Sequence, residues 1–474
     1  MHKATLERLI KELTHSDPSG RRCAAEALSE GDERAVFPLL KALHDSNLGV
    51  QDAAIKSLMR MKNETTAYMV IPLLREDVFL RNTALIILRE MGTIAIPLIR
   101  ALLNDKDDDV RKFAIDLIYD INYCDYPDKL LEILMNDPNA NVRASAAKTL
   151  GKLNLKEAVP YLIKALNDEE WVCFSALEAL TVLKDNSAIA PILALSASPS
   201  EAIRLAMLET LGKIGSQDIQ KFLAEHVSKS SGLEKRAAII SLVQLGMIPP
   251  SMDIFDELID MLITSDWDDK YVAIKGLLIL RDERAIYHMI DVAGSIDYSA
   301  PDRHEKIQFI REAVSSFGCN RYLCSILDDN TMRYRGKSLA IEIAGDLKCH
   351  SVVDSLIKLI KSNSRDIRRS SVESLGKIDS GKARDYLFEA IRDHDSHVRK
   401  SAVIALGKIC EMSAFEPLMK LLNKEVYYDV IDEIIKSLLQ INATLFLSRI
   451  GELNDQIRKV AARHAPLCNP ESSC

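Results

Sequence analysis

A chain of 474 residues with 47% hydrophobic content, 5% aromatic content and a formal net charge of -8 excludes several protein classes at once. The scarcity of aromatic residues suits closely packed Ala-, Leu- and Ile-rich helices and not sheets. The acidic balance disfavours nucleic acid as the main ligand, because phosphate binding needs clustered Lys and Arg, and no run approaches the roughly 18 apolar residues of a membrane span.

The chain opens Met1-His2-Lys3-Ala4-Thr5-Leu6-Glu7-Arg8, with charges where a signal peptide needs an apolar core. The nine cysteines (Cys23, Cys124, Cys173, Cys319, Cys324, Cys349, Cys410, Cys468 and Cys474) form no C-x-x-C pair and are odd in number. Most fall within helical patterns, where Cys is a small apolar residue. The expectation is a reducing, cytoplasmic setting.

One phrase recurs along the chain. Val142-Arg143 to Leu150-Gly151 returns as Ile203-Arg204 to Leu211-Gly212, Ile367-Arg368 to Leu375-Gly376 and Val398-Arg399 to Leu406-Gly407. Indexed on Arg143, the copies run Arg22, Gln51, Arg81, Arg111, Arg143, Cys173, Arg204, Lys235, Lys270, Lys337, Arg368, Arg399, roughly Val430, and Arg458. A period of roughly 30 residues marks a solenoid. The long gap after Lys270 holds a divergent copy around Ile307 to Gly318, so the array counts about fifteen units.

Each unit reads as helix, turn, helix, loop. In Ala158 to Leu166 the apolar spacing is helical, and Pro160 sits in the first turn, where its missing N–H costs nothing. Loop aspartates (Asp105, Asp137, Asp168, Asp266, Asp329, Asp393, Asp455) are expected as N-caps of the second helix. Gly151, Gly212, Gly246, Gly376 and Gly407 are expected as its C-caps. The stretch Asp-Pro-Asn-x-Asn-Val-Arg through Leu-Gly-Lys-Leu to Glu-Ala-Val-Pro resembles the short HEAT-like repeat of phycobilisome lyases, from about Leu6 to about His464. That resemblance implies an all-α fold, an α-solenoid superhelix of two-helix HEAT-like repeats with second helices on the concave side. It also implies that the flanking arginines (Arg81, Arg111, Arg143, Arg204, Arg368, Arg399, Arg458) bond loop aspartates of neighbouring units.

The expected organisation is an array over 1–293, an irregular insertion over 294–303, a continuing array over 304–464 and a flexible tail over 465–474. The insertion reads first as a tolerated interruption, since long insertions cost little, with a bend of the solenoid or a projecting contact loop as the alternative, and Gly246 to Ser251 reads as a stiff loop. A helical wheel turns positions 144, 148 and 152 outward, which makes a rib of the residues matching Ala144. Phe174, Leu205 and Tyr271 are candidate anchors on that rib, with Glu178 and Glu209 beside them. Arg369, Lys400 and Lys459, with Lys377, Lys408 and Arg463, form a basic strip that could guide an acidic segment.

Catalytic signatures are missing: no G-x-x-x-x-G-K-[ST], G-x-G-x-x-G or H-E-x-x-H occurs. HEAT-like deoxyhypusine hydroxylases carry several His-Glu pairs, whereas His304-Glu305 stands alone here. The basic strip is similar to the basic face of HEAT-like DNA glycosylases, but the acidic total is not. Asp393-His394-Asp395-Ser396-His397 and Cys319-x4-Cys324 are weak metal candidates, so no metal or cofactor is expected. The leading expectation is a non-enzymatic cytoplasmic scaffold or adaptor that binds a protein partner in its groove. Two alternatives stay open: a lyase-like or chaperone subunit acting on a chromophore-bearing protein, and a nucleic-acid binder through the C-terminal strip.

Overall fold

The computed structural model describes residues 2–250, 252–379, 381–409 and 412–464, with the backbone alone at Gln217 and Asp218. The expected tail at 465–474 and Cys410 lie outside the described residues. Among the described residues there is no strand, and helix pairs repeat throughout, about fifteen in all. The chain divides into two compact units, Met1–Met247 and Ile248–Cys474.

In the first unit the pair Val159–Ala165 and Glu170–Leu183 is representative. Pro160 occupies the first turn of the shorter helix, as its chemistry predicts. The longer helix buries Val172, Ala176, Leu177 and Leu180, each large apolar side chain contributing at most about 1.5–3 kcal/mol. In Ala140–Lys152 the buried positions are Val142, Ala146, Ala147, Thr149, Leu150 and Gly151, while Lys148 and Lys152 face out. Successive second helices pack directly on one another in each unit.

An arginine ladder ties neighbouring pairs together. Arg111 donates to both carboxylate oxygens of Asp137 (2.7 and 3.0 Å) and to the Asp105 carbonyl (2.9 Å). Arg143 repeats this on Asp168 and the Asp137 carbonyl, and Arg204 donates twice to the Oε1 of Glu234 and once to the Ser198 carbonyl. In the second unit Arg368 takes Asp393, and Arg399 takes Glu425. Each guanidinium reaches back to its own loop and forward to the next, so it fixes the step between repeats. The Arg143 hydrogen bonds hold Asp168 below the usual carboxylate range. Burial pushes Asp137 and Asp393 up, but the bonds from Arg111 and Arg368 bring both below that range.

Several expectations on this ladder are corrected. In the first repeat, where Arg22 is in register with Arg143 by sequence but is not among the expected ladder arginines, the rung is Arg21, which pairs with Asp45 at 2.7 Å, while Arg22 is an exposed neighbour of Glu26. Arg81 instead lies 5.5 Å over the Phe113 ring, and Arg458 pairs locally with Asp455. Asp105, Asp137, Asp168 and Asp393 do not cap the second helix. Asp137 and Asp168 accept from ladder arginines, as Asp393 does; after Asp105 and Asp137 the caps fall two residues on, at Asp107 and Asn139, whereas after Asp168 the cap position is Glu169, without a side-chain cap. Asp266 is a true N-cap, accepting from the Asp269 N–H.

The glycines also differ from expectation. Gly151, Gly212, Gly376 and Gly407 lie inside helices and mark where the next second helix approaches. A Cβ on Gly212 would sit 2.7 Å from Ser241, on Gly345 within 2.4 Å of Ser374, and on Gly407 within 2.5 Å of Ser437. The serines complete the contact: Ser241, Ser374 and Ser437 donate to the carbonyls of Leu208, Ile341 and Val403, one helical turn before each glycine. Gly246 alone of the expected five is a left-handed C-cap. Other second helices end on non-glycine residues in that conformation, among them Lys184 and Asp379.

The second unit departs from regularity at the divergent repeat. Gly294 and Ser295 belong to the helix Ala285–Ser295, so the irregular segment spans only 296–302 before the helix Arg303–Ser315. The next second helix, Tyr334–Asp346, packs closely on Ala285–Ser295 through Gly294 and Gly336, and Arg303–Ser315 stands off from it. Near the C-terminal end, the helix Tyr428–Ser448 breaks at Asn442, whose side chain caps the following turn through the Leu445 N–H (2.9 Å). Contrary to the expectation of unpaired thiols, Cys319 and Cys349 form a disulfide with Cα atoms 5.7 Å apart.

Candidate functional site

The rib positions expected to face outward fall into two separate settings. In the first unit, the helices Glu170–Leu183 and Glu201–Ile214 border a groove of about 640 Å³. Its apolar wall is Trp171, Phe174 and Val182. Trp171 is 71% exposed and Val182 52%, while Phe174 is half-buried with its ring centroid 6.4 Å from that of Trp171. Trp171 is the second residue of the helix, so no preceding helical turn covers it. The rim is charged: Lys148 lies 3.7 Å from Glu178, and Lys213 pairs with Glu209 one turn away. An apolar floor inside a ring of compensated charges is the anatomy of a protein-contact patch.

Leu205 is half-buried and does not line this groove. Tyr271 belongs to the second unit, where its ring stacks on Phe309 at 4.3 Å and carries Lys275 4.3 Å above it. The three apolar candidates therefore do not form one surface in either unit. Trp171 was missed in the sequence because it precedes the rib register by three residues. Its i, i+3 spacing to Phe174 is the signal that would have found it.

The basic strip of the second unit is largely paired. Arg369 lies 3.7 Å from Glu373, Lys400 3.4 Å from Asp429, and Lys377 2.6 Å from Asp346. Lys459 is exposed on the final helix Asp455–His464. Arg368 and Arg399 belong to the ladder and point at loop carboxylates, so they add nothing to an outward positive strip. Arg369 also lines a second groove, of about 460 Å³, beside the divergent repeat.

The weak metal candidates do not assemble. His394 is exposed and faces Arg368, 3.0 Å from its guanidinium. Cys319 is bonded to Cys349, and Cys324 contacts Ser351 at 3.3 Å. Among the described residues no group of three or more His, Cys, Asp or Glu side chains is gathered for a metal. No helix among them is long and apolar enough to cross a membrane.

Comparison with known proteins agrees with the fold. The family model for HEAT repeats matches residues 6–89, 127–195, 322–393 and 353–439, which together make more than half of the chain. The narrower phycobilisome-lyase type is not singled out by that match. No curated protein matches the sequence significantly. Among solved structures, a chain of the Kap95p–RanGDP structure is similar with a TM-score of 0.54 at 13% identity, over 99% of this chain and 76% of that one. Yeast importin-beta (Kap95p) gives a TM-score of 0.46 at 12% identity, over 98% and 75%. Kap121p gives 0.48 at 14% identity over 97% of this chain, which spans about half of its length (51%).

Proposed function

The chain belongs to the HEAT-repeat family, and on that premise we propose that it is a non-enzymatic scaffold or adaptor that holds a protein partner on its row of second helices. The observation that carries this reading is the Trp171–Phe174–Val182 groove. A tryptophan left mostly in water beside a second large apolar side chain is unfavourable in isolation, and a partner side chain entering the groove would recover that burial. The charged rim suits selection of the partner more than affinity. The fold likeness to a chain of the structure in which Kap95p binds RanGDP supports this reading. The expected cytoplasmic setting remains part of the proposal.

The test is affinity capture from the native cell extract, after nuclease treatment, with the wild type and a Trp171→Glu, Val182→Glu double variant. Both substituted side chains are exposed, so helicity should be unchanged by circular dichroism. Proteins retained by the wild type at high salt and lost from the variant would support the groove. An identical set on both baits would sink it.

A further inference from the structure

The second groove has a chemistry of its own. It lies between the loop 296–302, the helix Arg303–Ser315 and the helix Tyr334–Asp346, where the divergent repeat stands away from the row. Its lining holds five arginines (Arg303, Arg311, Arg335, Arg365, Arg369) against two carboxylates, Glu342 and Asp366. The two carboxylates are taken: Glu342 by Arg311 and the Ser370 hydroxyl, Asp366 by Arg365. Arg303 is held by neutral groups, donating to the Tyr298 carbonyl and meeting His304 Nε2, each at 3.1 Å. Asp297, the acid near Arg335, is engaged by the backbone N–H and hydroxyl of Ser299 at 3.0 and 2.9 Å. The Nε of Arg369 is buried without a hydrogen-bond partner, Glu373 being 3.7 Å away.

Tyr298 gathers the spare cations. The guanidinium of Arg303 lies 3.8 Å from its ring centroid and that of Arg335 lies 4.9 Å from it. Arg335 also donates to the Tyr334 hydroxyl at 2.9 Å, which fixes its fork. Two cations held on one ring repel each other, and an anion bridging them reverses that sign. Two or three guanidiniums offer more N–H donors than a single carboxylate can accept. A phosphoryl group, with three acceptor oxygens and a charge of about -1.5 to -2, matches them.

We propose that this groove binds a phosphorylated side chain carried by a partner protein. The inference rests on the protein-binding reading for the carrier of the phosphoryl group, and on these residues alone for the pocket. A nucleic-acid backbone would need a positive track running on from the groove. The neighbouring lysines do not supply one, because Lys377 and Lys400 are paired with Asp346 and Asp429. The volume of about 460 Å³ suits one modified side chain.

The experiment is isothermal titration of the full chain with acetylated, amidated pentapeptides Ala-Ala-X-Ala-Ala, where X is phosphoserine, phosphotyrosine, serine or glutamate. A phosphorylated peptide should bind at least about ten-fold tighter than the serine and glutamate peptides, with inorganic phosphate competing. Arg303→Ala with Arg335→Ala should remove that preference while the circular dichroism spectrum is kept. Equal binding of all peptides, binding of none, or a preference untouched in the double variant would overturn the proposal. So would a twelve-nucleotide RNA that binds tighter than any peptide through the same arginines. The Trp171→Glu, Val182→Glu variant should keep the phosphopeptide preference, which separates failure of this pocket from failure of the first-unit groove.

Discussion

Arginine does two different jobs in this molecule, and burial separates them. Arg368 and Asp393 have side chains only 6% and 11% exposed, and Arg368 satisfies two backbone carbonyls as well. Truncating one partner there strands a buried charge, which typically costs about 3–5 kcal/mol. Arg368→Ala should therefore lower stability by about 3 kcal/mol or more in urea titration. Arg458, half-exposed and paired within its own helix, should tolerate alanine with no measurable change. If the two variants proved equally mild, the ladder would not be what sets the step between repeats.

The close approach of successive second helices is an element-scale device. A mid-helix Gly→Ala change ordinarily stabilises by about 0.5–1 kcal/mol. At Gly376 the added methyl would lie 2.4 Å from the Ala405 Cβ, a contact that only a shift of one helix relieves. Overpacking of that kind costs about 1–3 kcal/mol, so it outweighs the propensity gain. Gly376→Ala should destabilise by about 1–2 kcal/mol net, seen as a lower urea midpoint with an unchanged slope. A more stable variant would mean that the helices separate freely at this rung.

At the scale of the whole molecule, the ladder carboxylates act together. Asp45, Asp168 and Glu234 are held below the ordinary carboxylate range chiefly by hydrogen bonds from Arg21, Arg143 and Arg204. Asp137, Asp393 and Glu425 are pushed up by burial but brought below it by Arg111, Arg368 and Arg399. A depressed folded pKa gives stability that is present above the unfolded value of about 4 and is lost as pH falls through the folded value. Both units carry these pairs, so helicity should collapse together in the two units below about pH 4. A circular dichroism titration from neutral pH downward checks this. Helicity kept well below that range would show that apolar packing suffices without the ladder.

The period and the helix-pair unit were legible in the residues themselves, because a repeat must show the same buried pattern in every copy; the ladder came only from the family resemblance, and its aspartates read locally as N-caps. Val142, Ala146 and Leu150 recur with their arginine since each copy solves the same packing problem. Local chemistry misled where two copies meet. Gly151 and Gly376 look like C-caps in one dimension, yet only the neighbouring helix, some 30 residues on, explains why no side chain fits there. Arg21 and Arg22 are indistinguishable by pattern until one of them faces Asp45. Function depended still more on the third dimension. Trp171 lay outside the rib register, and Tyr298, on the loop 296–302, meets Arg335 of a helix far along the chain. By itself the sequence determined the repeated unit, since burial is periodic within it. The grooves were decided by tertiary structure, since they form where that period is interrupted or its outward side chains gather from different copies.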